Sequence, residues 1–369
     1  MLHQHPALFP EAMDQGFTLH DYDVSVKQDL VVRRITVTTT GVVFTLRPSL
    51  VMPSMIACTD AVEKALSLRQ WGVPFDALAS VFGREAMCWY RAWLACGRPA
   101  LLGTTVTDLA QRPTTLVADA KVPGVAGQEV DVPTTVGAGC FLGVSVVAAA
   151  DTTTLEAGSG ACARAAQALV PDSHPHAICT DGWQATRAAW RRLVPKITRV
   201  RCLLHAVLQS KDRCTGAWRH QVLERAWHVS PAATTRQCAP RLRRVGAWTQ
   251  TPRSGAVAEM VWKRCRRRVD CTPAYDGPQA HRTSNAVDRR RNSHDRLLDA
   301  MRSCHATTAS ARLAVRALAL QWHLHPYGAR LRRDQPARVC PFHDLNGLQY
   351  HANWLHNLLI ASSMGGLRL

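Results

Sequence analysis

An α/β fold built on a mixed sheet, with flanking helices, is predicted by three observations. Short apolar, β-branched runs alternate with segments of helical spacing, two of those runs end on aspartates, and His176 to His205 reads as strand, carboxylate, helix, strand and histidine. Within that last stretch Ala177, Ile178 and Cys179 are an apolar run closing at Asp181-Gly182. The aspartate therefore falls at a strand's carboxyl end, where open α/β sheets place their ligands. From Trp183 onward Ala185, Ala188, Ala189, Leu193 and Val194 keep helical spacing up to Pro195, and Ile197 to Leu203 reads as the next strand. Asp-Gly is also a strong turn signal, and Thr180-Asp181 suits a helix cap, so Asp181 by itself says little about chemistry.

Its company says more. Leu116-Val117-Ala118-Asp119-Ala120-Lys121 is a second apolar run carrying an aspartate, followed by β-rich runs at Val130 to Val136 and Phe141 to Val147 and a small-residue helix over Ala161 to Leu169. A strand with an acid, two further strands, a helix and a strand ending in an acid is the order of a ribonuclease-H-like sheet. This region, 116–212, reads as the first half of a catalytic domain. Residues 1–54 are a β-rich segment in which Leu30 to Leu46 suggests a hairpin, and 101–115 read as a Thr- and Pro-containing linker.

Between them, residues 55–100 show three short helical patterns: Val62 to Gln70, Phe75 to Phe82 and Glu85 to Ala95, separated by Gly72 and Gly83. Three helices with tight glycine turns match a helix-turn-helix, in which Arg84 and Arg91 are the DNA-facing bases. The third helix also carries Met87, Trp89, Tyr90 and Trp93, which suits a plain packed subdomain equally well.

The net charge of +18 points to a polyanionic partner. Of 45 basic residues six are lysines, leaving 39 arginines, whose guanidinium forks suit bidentate phosphate contacts. A GC-rich genome accounts for arginine over lysine but not for the excess over acids. Thirteen cysteines without regular spacing do not resemble a secreted disulfide framework, and no apolar run reaches the length of a membrane span. The expected setting is cytoplasmic and nucleoid-associated, with no membrane.

Residues 213–280 form a helical, basic insertion with Trp218, Trp227, Trp248 and Trp262 among Arg241, Arg243, Arg244, Lys263, Arg264, Arg266, Arg267 and Arg268. Bases alternating with aromatics suit phosphate contacts and stacking on unpaired bases, although a charge run is commonly a solvated face. In 281–369, Arg282-Thr-Ser-Asn-Ala-Val-Asp288-Arg289 opens a long helix, where Asp288 is either a third site acid or a capping acid at the position three after Asn285. The chain closes on an amphipathic helix containing Trp354, Leu355, Leu358 and Leu359. Cys202-x-x-His205 and Cys340-x-x-His343 share a spacing found in zinc sites, but pairs so far apart are more commonly packing residues.

Taken together, Asp119, the Thr180-Asp181-Gly182-Trp183 turn, Cys202-Leu-Leu-His205 and Thr283-Ser-Asn-Ala-Val-Asp288-Arg289 resemble the bacterial insertion-sequence transposases of the three-acid DDE type, over nearly the whole chain. The resemblance implies a ribonuclease-H-like catalytic domain that binds Mg2+ (or Mn2+) through Asp119, Asp181 and Asp288, with His205 beside them. The implied reaction is cleavage and strand transfer at double-stranded DNA, with element ends and target as partners and a homo-oligomer assembled on the DNA. Two departures from that family stand out: Ala120 where relatives often have a second acid, and Asp rather than the commoner Glu as third acid. The competing readings are a stand-alone nuclease of the same fold and a DNA-binding protein whose catalytic fold has become structural.

Overall fold

The apolar segment that carries Asp119 and the one that leads into Asp181 become neighbouring strands of one sheet. The computed structural model describes residues 13–26, 29–46, 48, 51, 58–108, 112–121, 124–125, 128–149, 151–169, 174–202, 205, 216–229, 232, 234–249 and 307–364. They belong to two units, Met1–Gln111 with Ala309–Leu369, and Arg112–Thr308.

The second unit holds the sheet. Its strands are β4 (Thr115–Lys121), β7 (Val132–Gly137), β8 (Cys140–Val144), β9 (Ala177–Thr180) and β10 (Thr198–Arg201), after β1 (Phe17–Ser25), β2 (Leu30–Val37) and β3 (Val43–Leu46) of the first unit, with a small hairpin of β5 (Gly124–Val125) and β6 (Gln128–Glu129) set apart. The order across the sheet is β10-β9-β4-β7-β8. β7 runs antiparallel to β4 and β8 antiparallel to β7, whereas β9 is parallel to β4 and β10 parallel to β9. A tight turn at Ala138 and Gly139, both at positive φ, joins β7 to β8. The two parallel steps require crossover helices. These are α5 (Thr152–Leu169), which packs on β7, β8 and α6, and α6 (Gln184–Leu193) between β9 and β10.

Leu116, Val117, Val136, Leu142, Ile178 and Val200 supply the sheet's core, and α6 adds Ala189 and a fully buried Trp190. Small residues let α5 sit close: a Cβ on Gly158 would come within 2.7 Å of Ser145 Oγ and 2.8 Å of Pro133. Arg192 reaches Glu156 at 3.3 Å, bridging the two helices. Further along, α7 (Gly216–Trp227) and α8 (Thr235–Thr249) give the insertion its helical character, and Arg225 lies over the Trp248 ring at 4.7 Å. Part of the base-and-aromatic pattern is thus used for packing one helix on the other.

The first unit begins with a three-stranded antiparallel meander of β1 (Phe17–Ser25), β2 (Leu30–Val37) and β3 (Val43–Leu46), one strand more than the expected hairpin. Ile35 and Val37 are buried beside Met13, Phe44 and Leu46. The three helical patterns fold as α1 (Thr59–Gln70), α2 (Phe75–Phe82) and α3 (Ala86–Ala95), and a further helix, α4 (Leu101–Thr105), follows. Leu101, Leu102, Thr104 and Thr105 are buried, so residues 101–115 do not begin as a linker. Their apolar pair is short, and composition alone gave it no partner.

That partner is the C-terminal segment. Helices α9 (Thr308–Leu324), α10 (Ala329–Asp334), α11 (Pro341–Asn346) and α12 (Trp354–Met364) close the first unit, with only Thr308 falling on the other side of the division. The expected grouping of 281–369 with the sheet is therefore corrected from Ala309 onward, because α9 and α12 bury their faces against α1, α3 and α4. Gln321 on α9 accepts from the Trp93 indole at 3.1 Å, and His323 meets Thr105 Oγ1 at 2.9 Å. Asn346 accepts from the Thr107 amide at 3.0 Å and donates to the Thr105 carbonyl at 2.9 Å, and Trp354 donates to Ser67 Oγ at 2.9 Å. The backbones of α3's end and α9 touch at Gly97, where a Cβ would overlap the Leu313 carbonyl and lie 2.9 Å from the Ala317 nitrogen. Among the described residues, no helix is long and apolar enough to cross a membrane.

Candidate active site

Parallel pairing sets the level of the first two acids. Thr115, Leu116 and Val117 of β4 are opposite Ala177, Ile178 and Cys179 of β9. Two residues beyond the last pair come Asp119, still within β4, and Asp181, just past the end of β9, so the register carries both acids to one level on neighbouring strands. Asp119 is flanked on its other side by Thr134 of β7. Both acids are partly exposed while the residues that precede them are buried. The apolar strand body thus holds each acid at the rim.

Each acid is also braced locally. Asp119 Oδ1 accepts from the Ala120 amide at 3.0 Å, and Asp181 Oδ1 accepts from the Trp183 amide at 2.9 Å. The second bond is an Asx-turn, so the turn reading of Asp181 holds together with its place beside Asp119. Gly182, at φ 88°, completes the bend. A side chain there would be strained, and its Cβ would lie 2.7 Å from Arg201 Nε and 3.0 Å from Arg201 Cγ. Arg201, opposite Thr180 in the β9–β10 pairing, therefore rests directly on the turn that carries Asp181. Its Nε is buried and has no hydrogen-bonding partner among the described residues. One arginine in so basic a chain has no distinguishing mark in sequence, which is why Arg201 was not singled out.

His205 joins the pair. The hydrogen bond to Cys202 holds the imidazole's pKa up at about 9, against the pull of burial, and the Asp119 and Asp181 carboxylates act in the same direction. His205 is consequently a cation at neutral pH, close enough to feel both carboxylates. Cys202 is buried, and its amide donates to the Thr180 carbonyl at 2.7 Å, extending the strand pairing toward the site. The His205 amide in turn points at Cys202 Sγ, 3.4 Å away. Cys340 does the same for the His343 amide at 3.4 Å and also accepts from Gln349 at 3.3 Å. Cys340 is thereby the N-cap of α11, which is a capping role.

Asp119, Asp181 and His205 are near enough for both carboxylates to act on the imidazole. Asp288 lies outside the described residues, as do Lys263, Arg264, Arg266, Arg267 and Arg268. Among the described residues no group of three or more His, Cys, Asp or Glu side chains is arranged to hold a metal ion. The remaining expected DNA contacts are dispersed. Arg84, at φ 66°, follows Gly83 in the turn between α2 and α3, and Arg91 is on the exposed side of α3, whose other side buries Trp89, Ala92 and Trp93. On α8, Arg243 and Arg244 are exposed, whereas Arg241 donates to the His228 carbonyl at 3.2 Å. Compared with known proteins, the chain matches no protein-family model, and no curated protein is detectably similar to it in sequence.

Proposed function

We propose that this chain is a DNA transposase of an insertion sequence, which cleaves the element's ends and joins them to target DNA by metal-dependent phosphoryl transfer. The observation that carries the reading is the parallel β4–β9 register, which extended by two residues brings Asp119 and Asp181 to one level on neighbouring strands. It is supported by the strand order, with an antiparallel meander followed by two parallel strands on the far side of β4, as a ribonuclease-H-like sheet requires. The charge of +18 suits a DNA partner.

The two carboxylates suit magnesium or manganese, which favour hard oxygen donors and substrate phosphates. Asp119, Asp181 and Asp288 would hold the ions. Once bound, such ions would supply charge to activate the attacking oxygen and to stabilise the leaving one. The chain's own groups do the rest. Asp119 and Asp181 would hold the cations against which the reacting phosphate is placed, and the His205 imidazolium would offset part of the carboxylate charge and offer an N–H to a phosphate oxygen. Arg201 adds a guanidinium at the edge of the same turn. In cleavage, the attacking water loses a proton, a bond forms between its oxygen and phosphorus, and the bond to the 3′ oxygen breaks as that oxygen is protonated. The freed 3′ hydroxyl then repeats the displacement on target DNA.

The test is incubation of the protein with a duplex carrying the DNA that flanks its own gene, in magnesium. Cleavage at the element boundary is expected. Asp119→Asn and Asp181→Asn should each abolish it while leaving duplex affinity unchanged, and His205→Ala should slow it about a hundredfold, the lower range of an acid–base contribution. Normal cleavage by Asp181→Asn would overturn the reading. Tight binding without cleavage by the unaltered protein would leave a DNA-binding protein on a catalytic fold.

A further inference from the structure

The first unit contains a cavity of about 450 Å³ that the proposed chemistry does not use. Its size is that of a small-molecule site rather than a packing defect. Trp71, Trp354, His325 and Tyr327 line it, with Glu63 and Arg332 at its polar rim. The rings form a corner: Trp71 meets His325 edge-on with centroids 6.4 Å apart, and His325 meets Trp354 at 6.0 Å with planes inclined by 52°.

The walls are held in place. Trp354 is 3% exposed and anchored through its indole to Ser67. Tyr327 donates to Asp344 at 2.8 Å and carries the Arg338 guanidinium over its ring at 4.8 Å. Burial lowers the pKa of His325 below its ordinary value, so its ring faces the cavity uncharged. Trp71 is different: it ends α1 and is 73% exposed. A large ring held open to solvent beside a fixed aromatic corner is half of a stacking site.

Charge narrows the occupant. Helix α10, whose Ala329 and Arg332 line the cavity, also carries Arg330 and Arg333, with side chains 90% and 77% exposed. Asp334 is the one acid on that helix, and it pairs with both at 3.9 and 3.4 Å, leaving a basic excess. A caged ammonium ion would meet only Glu63 against these arginines. A simple anion would not need the rings. A flat aromatic group linked to a phosphate satisfies both features, since bases stack on aromatic side chains irrespective of their identity and phosphates pair with guanidinium groups.

We propose that this cavity receives a single unstacked nucleobase of DNA, stacked against Trp71, with the adjoining backbone phosphates on Arg330 and Arg333. The proposal rests on the reading that DNA is the partner, and adds that part of that DNA is bound unpaired.

The test uses the full-length protein, a fluorescein-labelled oligothymidylate of roughly twenty nucleotides, longer than one single-strand site, and a blunt duplex of equal length. Trp71→Ala should weaken binding of the single strand about tenfold, the loss expected for one stacked base, and leave the duplex unaffected. Trp71→Phe should retain most of the affinity. Replacing one thymine by 2-aminopurine should give fluorescence that is quenched on binding by the unaltered protein and not by Trp71→Ala. The double change Arg330→Gln with Arg333→Gln should reduce the salt dependence of single-strand binding by about the two phosphates lost. Single-strand affinity and quenching that ignore Trp71→Ala, in a protein that binds duplex, would overturn the cavity's role and leave the transposase reading standing. Failure of the unaltered protein to bind either DNA would overturn both.

Discussion

Asp131 shows how differently acids of one sheet are treated. It is 5% exposed, its Oδ1 has no hydrogen-bonding partner among the described residues, and its backbone bridges Val147 through a pair of bonds at 2.8 Å. Burial raises its pKa, and the nearby Glu129 charge raises it further. A carboxyl whose folded pKa is raised contributes stability that is full below its ordinary value of 3.8 and is lost as the pH climbs through the folded value. At neutral pH the buried charge is a burden. Asp131→Asn should therefore stabilise the protein at pH 7 by about 1 kcal/mol, a modest part of the cost of an unpaired buried polar group. The gain should vanish toward pH 3. Urea midpoints of both proteins at several pH values measure this, and a gain that persists at acid pH would contradict it. Asp119 and Asp181, by contrast, are at the rim with backbone amides to accept from. The difference was partly legible in sequence: an acid ending an apolar run marks a strand's end, as with Asp181. Asp131, between Val130 and Val132, has no such mark, since pairing across strands decided its burial.

At the scale of elements, periodicity identified α1, α2, α3 and α6 and the strands that carry Asp119 and Asp181, because each has an apolar face bounded by Gly, Pro or Asp-Gly. It did not identify which faces meet. Trp93 was legible as an apolar residue on α3, but its partner Gln321 is 228 positions away, and no spacing links the two. The same distance hid the reason for Gly97. The glycine is required because α9's backbone occupies the space of a side chain. Gly97→Ala should force α3 and α9 apart and cost about 2 to 3 kcal/mol, the upper range for overpacking. The guanidinium midpoint checks this. A loss under about 0.5 kcal/mol, typical of a surface change, would show that the glycine serves only the turn.

For the whole molecule, the two units divide the chain in an order that sequence position conceals: the ends make one and the middle makes the other. The helices expected to read DNA as an independent module have their faces completed from beyond residue 308. Leu66 and Trp93 are fully buried, and what buries them includes Gln321, which accepts from Trp93 and reaches the Leu66 carbonyl at 3.5 Å. Thr105 is covered by His323 and Asn346. A fragment of residues 1–111 thus lacks α9, α11 and α12 and leaves several large apolar side chains uncovered, each worth roughly 1.5 to 3 kcal/mol of burial. That deficit approaches the whole stability of a small domain, about 5 to 15 kcal/mol. Alone, the fragment should show partial helicity and no cooperative thermal transition. Mixed with a peptide of residues 309–369, it should gain helix in proportion to complex formed and melt in one concentration-dependent step, because association replaces a covalent connection. Circular dichroism of the two pieces, separate and combined, reads this directly. A cooperative transition in 1–111 by itself would restore the independent module, and the absence of any gain on mixing would break the pairing of the chain's two ends.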